Sequence, residues 1–301
     1  MKKIVITGGT GFIGSHLTRS LLNESDYQVT LVTRDPRKSI NSSTRIDVVS
    51  WDLKDLTEAV EGAHCVVNLA GEPILGLWTK AKRKRIIESR VVSGETILQA
   101  IETALQKPSV LIQASAVGFY GIRGNEELDE YSSRGDGFLS HVAEEWECSS
   151  QSVEKLGVRR CIIRSGIVLG HDGFIPRMIH PFRFRIRLLL GSGQQWIPWI
   201  HIHDEIRAIR FLMENHEIEG VFNLVNPNPI RYHSLVSRVA SYYGPSLAVQ
   251  LPIFLLQYLA GDFAREVLLA DQRVLPRRLS ALGFQWEYST IEDALNNLLT
   301  T

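Results

Sequence analysis

The 301-residue chain is poor in three things, and each shortage excludes a class of protein. Cysteine is scarce: Cys65, Cys148 and Cys161 stand alone, with no CxxC spacing. Such isolated thiols exclude a disulfide framework and a cysteine-rich zinc site, and they fit a reducing compartment. Net charge is absent, because 33 Lys+Arg balance 33 Asp+Glu. A general nucleic-acid or membrane-surface binder carries a basic excess, so neither nucleic acid nor membrane is expected as a partner. Long apolar runs are missing too. MKKIVITGG has only three consecutive apolar residues before Thr7, fewer than the core of a signal peptide needs. The most apolar stretch, LPIFLLQYLAGDF from residue 251, is interrupted by Gln257 and Asp262 and is too short to span a bilayer. A cytoplasmic protein is the expectation.

Nothing in the chain reads as a linker, an internal repeat or a low-complexity tract. Short apolar runs alternate with helical patterns through the first half. The runs Lys3–Thr7, Gln28–Thr33, Asp47–Ser50, His64–Leu69, Val110–Ser115 and Val158–Arg164 read as strands. This alternation predicts an α/β fold, a Rossmann-type doubly wound parallel sheet with helices on both faces. Residues 1–164 would form the dinucleotide-binding domain. After Ser165, Gly and Pro punctuate the pattern and basic residues cluster in PFRFRIRLLLGSG. Residues 165–301 are expected to form a smaller, mainly helical C-terminal substrate lobe, with a late strand at Val221–Val225 and some segments returning to the sheet.

VITGGTGFIGSHL places Gly8, Gly11 and Gly14 between the first strand and a helix. A diphosphate must approach the backbone closely there, and a helix N-terminus supplies free N–H donors and a positive dipole end. A tight strand-to-helix turn without ligand is the plainer reading, but the strand–glycine–helix context favours a dinucleotide. The second strand ends VTLVTRDPRK. An acidic side chain at that end bonds the ribose hydroxyls in NAD-preferring folds. Here Thr33 holds the position and Arg34 follows, with Arg37 and Lys38 nearby. A guanidinium pairs with a 2′-phosphate, so NADP(H) is the expected cofactor. Asp35 could turn toward the ribose instead, and Arg34 could be a solvated loop charge.

WTKAKRKRIIESRVVSGETILQAIETAL reads as one helix with Thr79 at its N-cap. The basic run from Lys80 to Arg85 reads as a solvated face. Arg90 differs, because it shares a face with Ile86, Gly94, Ile97 and Ile101. An arginine in an apolar stripe needs a partner: a structural carboxylate, a cofactor or a substrate.

TGGTGFIG, NLAG at 68–71, ASAVGFYG at 114–121, IRSGIVLG at 163–170 and WIHIHD at 199–204 resemble the extended short-chain dehydrogenase/reductase superfamily, in its NAD-dependent epimerase/dehydratase branch. The tail GDFAREVLLADQRVLPRRLSALGFQWEYSTIEDAL resembles the C-terminal domain of uncertain function found in the atypical "epimerase family protein" subgroup. The resemblance implies cofactor contacts at Gly8, Thr10, Gly11, Phe12, Ile13, Gly14, Thr33, Arg34, Asp52, Leu53, Leu69, Ala70, Gly71, Arg90, Ser115 and Ile167. It also implies a serine that orients a substrate carbonyl, matched by Ser115, and a Tyr-x-x-x-Lys pair on the next helix for proton transfer. That helix reads DGFLSHVAEEWECSS. The tyrosine register falls near Phe138 or Leu139 and the lysine near Val142 or Ala143, so the usual pair is missing. Tyr120 is the remaining candidate acid; its alternative role is packing.

Weaker signals surround these. Glu72 follows the fourth strand and reads as a solvated acid or a base. His201, His203 and Asp204 suggest structural hydrogen bonding, with no third ligand for a metal. Trp196, Trp199, Phe119 and Tyr120 could wall a pocket, and Arg177, Arg183, Arg185 and Arg187 could form a basic strip or receive an anion. The expected activity is an NADP(H)-dependent oxidoreductase or epimerase-like enzyme acting on an unknown small molecule, as a possible homodimer. The alternative is a non-catalytic NADP(H)-binding regulatory protein. The resemblance supports this rival, since some members of the group are associated with cell or plastid division.

Overall fold

The computed structural model describes residues 1–36 and 45–300. Arg37 and Lys38 therefore lie outside the described residues. Seven strands form one parallel sheet: β1 Lys2–Thr7, β2 Tyr27–Val32, β3 Ile46–Val49, β4 Cys65–Asn68, β5 Val110–Ala116, β6 Arg159–Ser165 and β7 Gly220–Leu224. Their order across the sheet is β7-β6-β5-β4-β1-β2-β3. The runs are short and rich in Val and Ile because both sheet faces are covered. Direction of travel reverses between β1 and β4, and the crevice at their C-terminal ends is where such folds bind ligands.

Five helices flank the sheet: α1 Phe12–Leu22, α2 Leu53–Val60, α3 Lys80–Thr103, α4 Phe138–Cys148 and α5 Ile202–Glu214. One core joins α1 and α5 to the even positions of β1 and β5, through Leu17, Leu21, Ile209, Leu212, Ile4, Ile6 and Ile112. The opposite face meets α2 and α3 through Val5, Val66, Leu111, Leu56, Ile97 and Ile101. Thr79 caps α3 as its sequence suggests, its hydroxyl accepting the Lys82 N–H.

The chain beyond residue 164 divides its allegiance. The segments forming α5 and β7 return to the sheet, the latter pairing with β6 as an edge strand. Much of the rest gathers around a separate core of Ile175, Met178, Trp199, Leu235, Val239, Leu295 and Leu298, which helices Tyr232–Tyr243 and Ile291–Leu299 help to build, while Leu279 and Phe284 join the sheet core. None of the helices is long and apolar enough to cross a membrane among the described residues.

Helices α3 and α4 cross at Gly94. A Cβ built there lies 1.9 Å from Ser149 Oγ and 2.8 Å from Ser149 Cβ. Gly94→Ala is therefore expected to lower stability by about 1–3 kcal/mol through overpacking, despite alanine's better helix propensity. Ser149→Gly in the same chain should recover most of the loss. Urea midpoints of the three variants decide it, and an unchanged midpoint for Gly94→Ala would refute close contact.

Candidate functional site

Two cavities open along the C-terminal edge of the sheet. The first is a groove of about 580 Å³ lined by Gly8, Thr10, Gly11, Thr33, Arg34, Trp51, Leu69, Ala70, Gly71 and residues of α3 including Ser93 and Thr96. The turn after β1 forms its floor. Gly8 takes φ +68, and a Cβ there would lie 2.7 Å from the Leu69 carbonyl oxygen. A Cβ on Gly14 would lie 2.4 Å from the Gly8 oxygen, so helix and turn pack backbone to backbone. No side chain caps the start of α1, whose first N–H groups are left for an anion. Arg34 is exposed at the mouth, while Asp35 does not line the groove. These residues fit a dinucleotide: small residues where a diphosphate must pass, and a guanidinium where the second strand ends.

The second cavity, about 230 Å³, adjoins it. Its wall includes Arg90, Ala116, Leu139, Val142, Ala143, Trp146, Ser165, Ile167, Trp196, Pro198, Glu266 and Gln272. Leu139 and Ala143, four apart on α4, both face this space with Val142 beside them, whereas Phe138 packs edge-on against Trp78. At the strand end it is Ala116 that lines the cavity.

The expected role of Ser115 is corrected by one residue of strand register. Successive side chains leave opposite faces of a strand. Ser115 is 5% exposed and donates from Oγ to Glu147 Oε1 at 2.6 Å. Arg164 closes the same carboxylate with two bonds, Nε to Oε1 at 2.8 Å and Nη2 to Oε2 at 2.9 Å. Tyr120 belongs to this network too, and its reading as a cavity acid is likewise corrected. It is fully buried, donates to Asn223 Oδ1 at 2.7 Å and accepts from Arg164 Nη1 at 3.1 Å. Burial pushes its hydroxyl up to about 12, away from useful proton exchange at neutral pH.

Other expected residues divide between the cavities and the core. Arg90 stands where the two spaces meet: its Cζ is 3.0 Å from where a Gly71 Cβ would be. Its partners are the carbonyl oxygens of Glu72 and Ile86, each 3.0 Å from Nη1, and the Trp146 ring at 4.7 Å. Burial lowers it to about 10, still a cation at neutral pH. Ile167 lines the second cavity, away from the glycine turn. Phe12 and Ile13 pack against the sheet core. Asp52 caps α2 by accepting the Lys54 N–H, and Leu53 packs beneath it, whereas Trp51 faces the groove. Glu72 lines the groove and pairs with Lys82 at 2.8 Å, whose hydrogen bond holds its carboxyl below the usual range.

The histidines are structural: His201 Nδ1 accepts the His203 N–H at the start of α5, and burial drives His201 down to about 4. Asp204 caps the Glu287 and Tyr288 N–H groups. Trp196 does wall the second cavity, whereas Trp199 is buried in the second core. Phe119 lies under the Arg164 guanidinium. None of Arg177, Arg183, Arg185 and Arg187 lines either space.

Besides Glu147, sequence reasoning missed two acids. Glu266, from the C-terminal region, caps α4 by accepting the Phe138 and Leu139 N–H groups at 3.0 and 2.8 Å. Glu205 on α5 is fully buried, and Ser165 Oγ donates to its Oε1 at 2.6 Å. Burial raises Glu205 to about 8, outweighing the Ser165 hydrogen bond. Both contacts join residues far apart in sequence, so no local pattern announces them.

The model of the NAD dependent epimerase/dehydratase family matches residues 4–225. The chain belongs to that family. A second model, a domain of unknown function (DUF1731), matches residues 251–298, the region that supplies Glu266. Within the family, the chain is 34% identical over 299 residues to the Epimerase family protein YfhF of Bacillus subtilis, covering 98% of this chain and 97% of the relative. The Epimerase family protein SAR0825 of Staphylococcus aureus is also 34% identical, with 100% of both chains covered. Among solved structures, human epimerase family protein SDR39U1 (isoform2), crystallised with NADPH, aligns at TM-score 0.87 and 31% identity, covering 99% of each chain. A nucleoside-diphosphate sugar epimerase from Corynebacterium glutamicum aligns at TM-score 0.80 and 28% identity, covering 99% of this chain and 58% of that one.

Two stability predictions follow from the buried acids. Glu147→Ala strands the Arg164 guanidinium and should cost about 3–5 kcal/mol, with part of it recovered in the double variant carrying Arg164→Met. Denaturant titration reads both, and a loss below about 1 kcal/mol would contradict a closed pair. For Glu205, folding lifts the carboxyl from 4.5 to about 8. Between those values the folded chain keeps a proton that the unfolded chain has lost, so stability falls as pH rises. The slope is about 1.4 kcal/mol per pH unit. Glu205→Gln removes this contribution, so the variant should gain on the wild type from about pH 5 to about pH 8. A constant difference across that window would rule out a protonated Glu205.

Proposed function

We propose that this chain binds NADP(H) in the groove and passes reducing equivalents to or from a small molecule held in the adjoining cavity. The observation that carries the first half is Arg34 beside Gly8, Gly11 and Trp51 in one groove, at the strand end where an acid would instead select NAD(H). The NADPH in the crystal structure of the human relative supports it. The glycine turn would hold the diphosphate, Arg34 the 2′-phosphate, and Leu69, Ala70 and Gly71 the passage toward the second cavity. When bound, the nicotinamide supplies or accepts a hydride.

The residues of the second cavity decide what chemistry is open to the substrate. Ala116, Leu139 and Ala143 occupy places where a hydroxyl, a phenol and an ammonium would otherwise work, so those three groups supply no proton there. Val142, Trp146, Ile167 and Pro198 exclude water and favour a small, largely apolar compound. The same apolar wall favours a second reading, a regulatory protein that holds NADP(H) without turning over. Cytoplasmic residence is part of the proposal under either reading.

Calorimetry with both coenzymes separates the possibilities. NADPH should bind more tightly than NADH by about tenfold or more, and Arg34→Glu should abolish or reverse that preference. Gly11→Val should weaken both coenzymes alike by filling the groove. No heat with either coenzyme would end the proposal. NADPH uptake without oxidation by any aldehyde or ketone would favour the regulatory reading.

A further inference from the structure

The cavity wall holds five side chains with polar hydrogens or carboxylate oxygens besides Ser165. Four are already engaged; the fifth, Trp146, has a buried Nε1 with no partner, but an indole N–H is far too weak an acid to give up its proton. Arg90 holds two carbonyls. Both oxygens of Glu266 accept backbone N–H groups. Trp196 Nε1 donates to Asn125 Oδ1, and Gln272 Nε2 donates to the carbonyls of Val117 and Gly121. Glu205 stands behind Ser165 rather than in the wall, and its Oε2 has no hydrogen-bond partner. Ser165 pairs with Ala116 across β5 and β6, so its hydroxyl stands one strand away from the methyl that replaces the expected one.

We propose that Ser165, backed by the buried carboxyl of Glu205, is the proton donor of the apolar cavity, serving the carbonyl oxygen of a small apolar aldehyde or ketone. The inference rests on the NADP(H)-dependent reduction proposed above. Ser165 is the catalytic residue, because it meets the substrate; Glu205 is a positioning residue and proton reserve that acts through it.

As the carbonyl carbon is reduced by the reduced nicotinamide cofactor, the C=O π pair moves to oxygen. That oxygen takes the proton from Ser165 Oγ, forming one O–H bond and breaking another. In the loaded acid the carboxyl proton sits on Glu205 Oε1, and the 2.6 Å contact runs from it to Ser165 Oγ, which turns the Ser165 hydrogen to the substrate. As that hydrogen leaves, the carboxyl proton crosses to Oγ and leaves a carboxylate, to which Ser165 Oγ then donates. Water entering as the alcohol departs returns a proton through Ser165. The acid holds its proton at neutral pH because burial, which raises it to about 8, penalises the charged form. The driving force is sound, since a group poised near the working pH is the efficient donor.

The test uses the full chain with NADPH, in wild type, Ser165→Ala, Ser165→Thr and Glu205→Gln. Infrared difference spectra at neutral pH should show a protonated-carboxyl band that Glu205→Gln removes and Ser165→Ala shifts, since that band senses its hydrogen bond. In stopped-flow reduction of a panel of aromatic and aliphatic aldehydes and ketones, Ser165→Ala and Glu205→Gln should lower kcat by about a hundredfold or more. NADPH affinity should be unchanged, and Ser165→Thr should retain turnover. Absence of the band in wild type, its persistence in Glu205→Gln, or wild-type turnover in Ser165→Ala would each overturn the proposal. So would tight NADPH binding with no reduction of any panel member. Failure to bind NADPH overturns the underlying function as well, which distinguishes the two failures.

Discussion

A carboxylate and a guanidinium shut away from water hold this structure in register. Glu147 on α4 and Arg164 on β6 meet through two short bonds, and both are nearly inaccessible. Breaking such a pair leaves a buried charge, so the geometry is strongly enforced even though an apolar replacement of both could be as stable. Ser115 donates to the same carboxylate, Arg160 donates to the Glu147 carbonyl, and Tyr120 accepts from Arg164. The pair thus fixes the rotation of α4 against the sheet. With α4 fixed, Leu139 and Ala143 face the cavity and cannot exchange places with polar neighbours such as Ser140 or Glu144. The two hydroxyls that look reactive in sequence are therefore structural, spent on keeping a charge pair satisfied.

The sheet was legible because its strands are short Val- and Ile-rich runs with glycine or polar breaks, and these need no distant information. All six strands expected in the first half are found within two residues of their ends, as is the later one at Val221. The glycine turn and the Thr79 cap were legible for the same reason: their causes are local. What failed was finer than a strand. Reading Ser115 as the cavity hydroxyl misplaced it by a single residue, and a period of two turns that error into the opposite face. Arg90 was rightly singled out as an arginine in an apolar stripe, but its partners are main-chain carbonyls and an indole face, which no side-chain inventory reveals. Glu266 reaches α4 from 128 residues away and Glu205 reaches Ser165 from 40, so only the folded chain brings them together. Some segments after 164 were expected to return to the sheet, and the strand at Val221 was legible as such, but that α5 returns with β7 is a long-range fact.

The two cavities are built to opposite electrostatic requirements. A diphosphate and a 2′-phosphate need free N–H groups and a cation in contact with water, and the groove offers the start of α1 and Arg34. The second cavity has Leu139, Val142, Trp146 and Ile167 in its wall, where a lysine ammonium would carry a heavy desolvation penalty. A carboxylic acid is different, because burial that penalises its charged form keeps it neutral, and a neutral acid is far cheaper to bury than an ion. The absence of a phenol–ammonium pair and the burial of Glu205 then answer to the same constraint, the penalty on charge in this space. A largely apolar cavity still has a mobile proton within reach, provided the group that stores it is uncharged when loaded. Arg90 marks the border between the regimes. Burial lowers its pKa but leaves it a cation at neutral pH, with two carbonyls and the Trp146 face in contact where water would be.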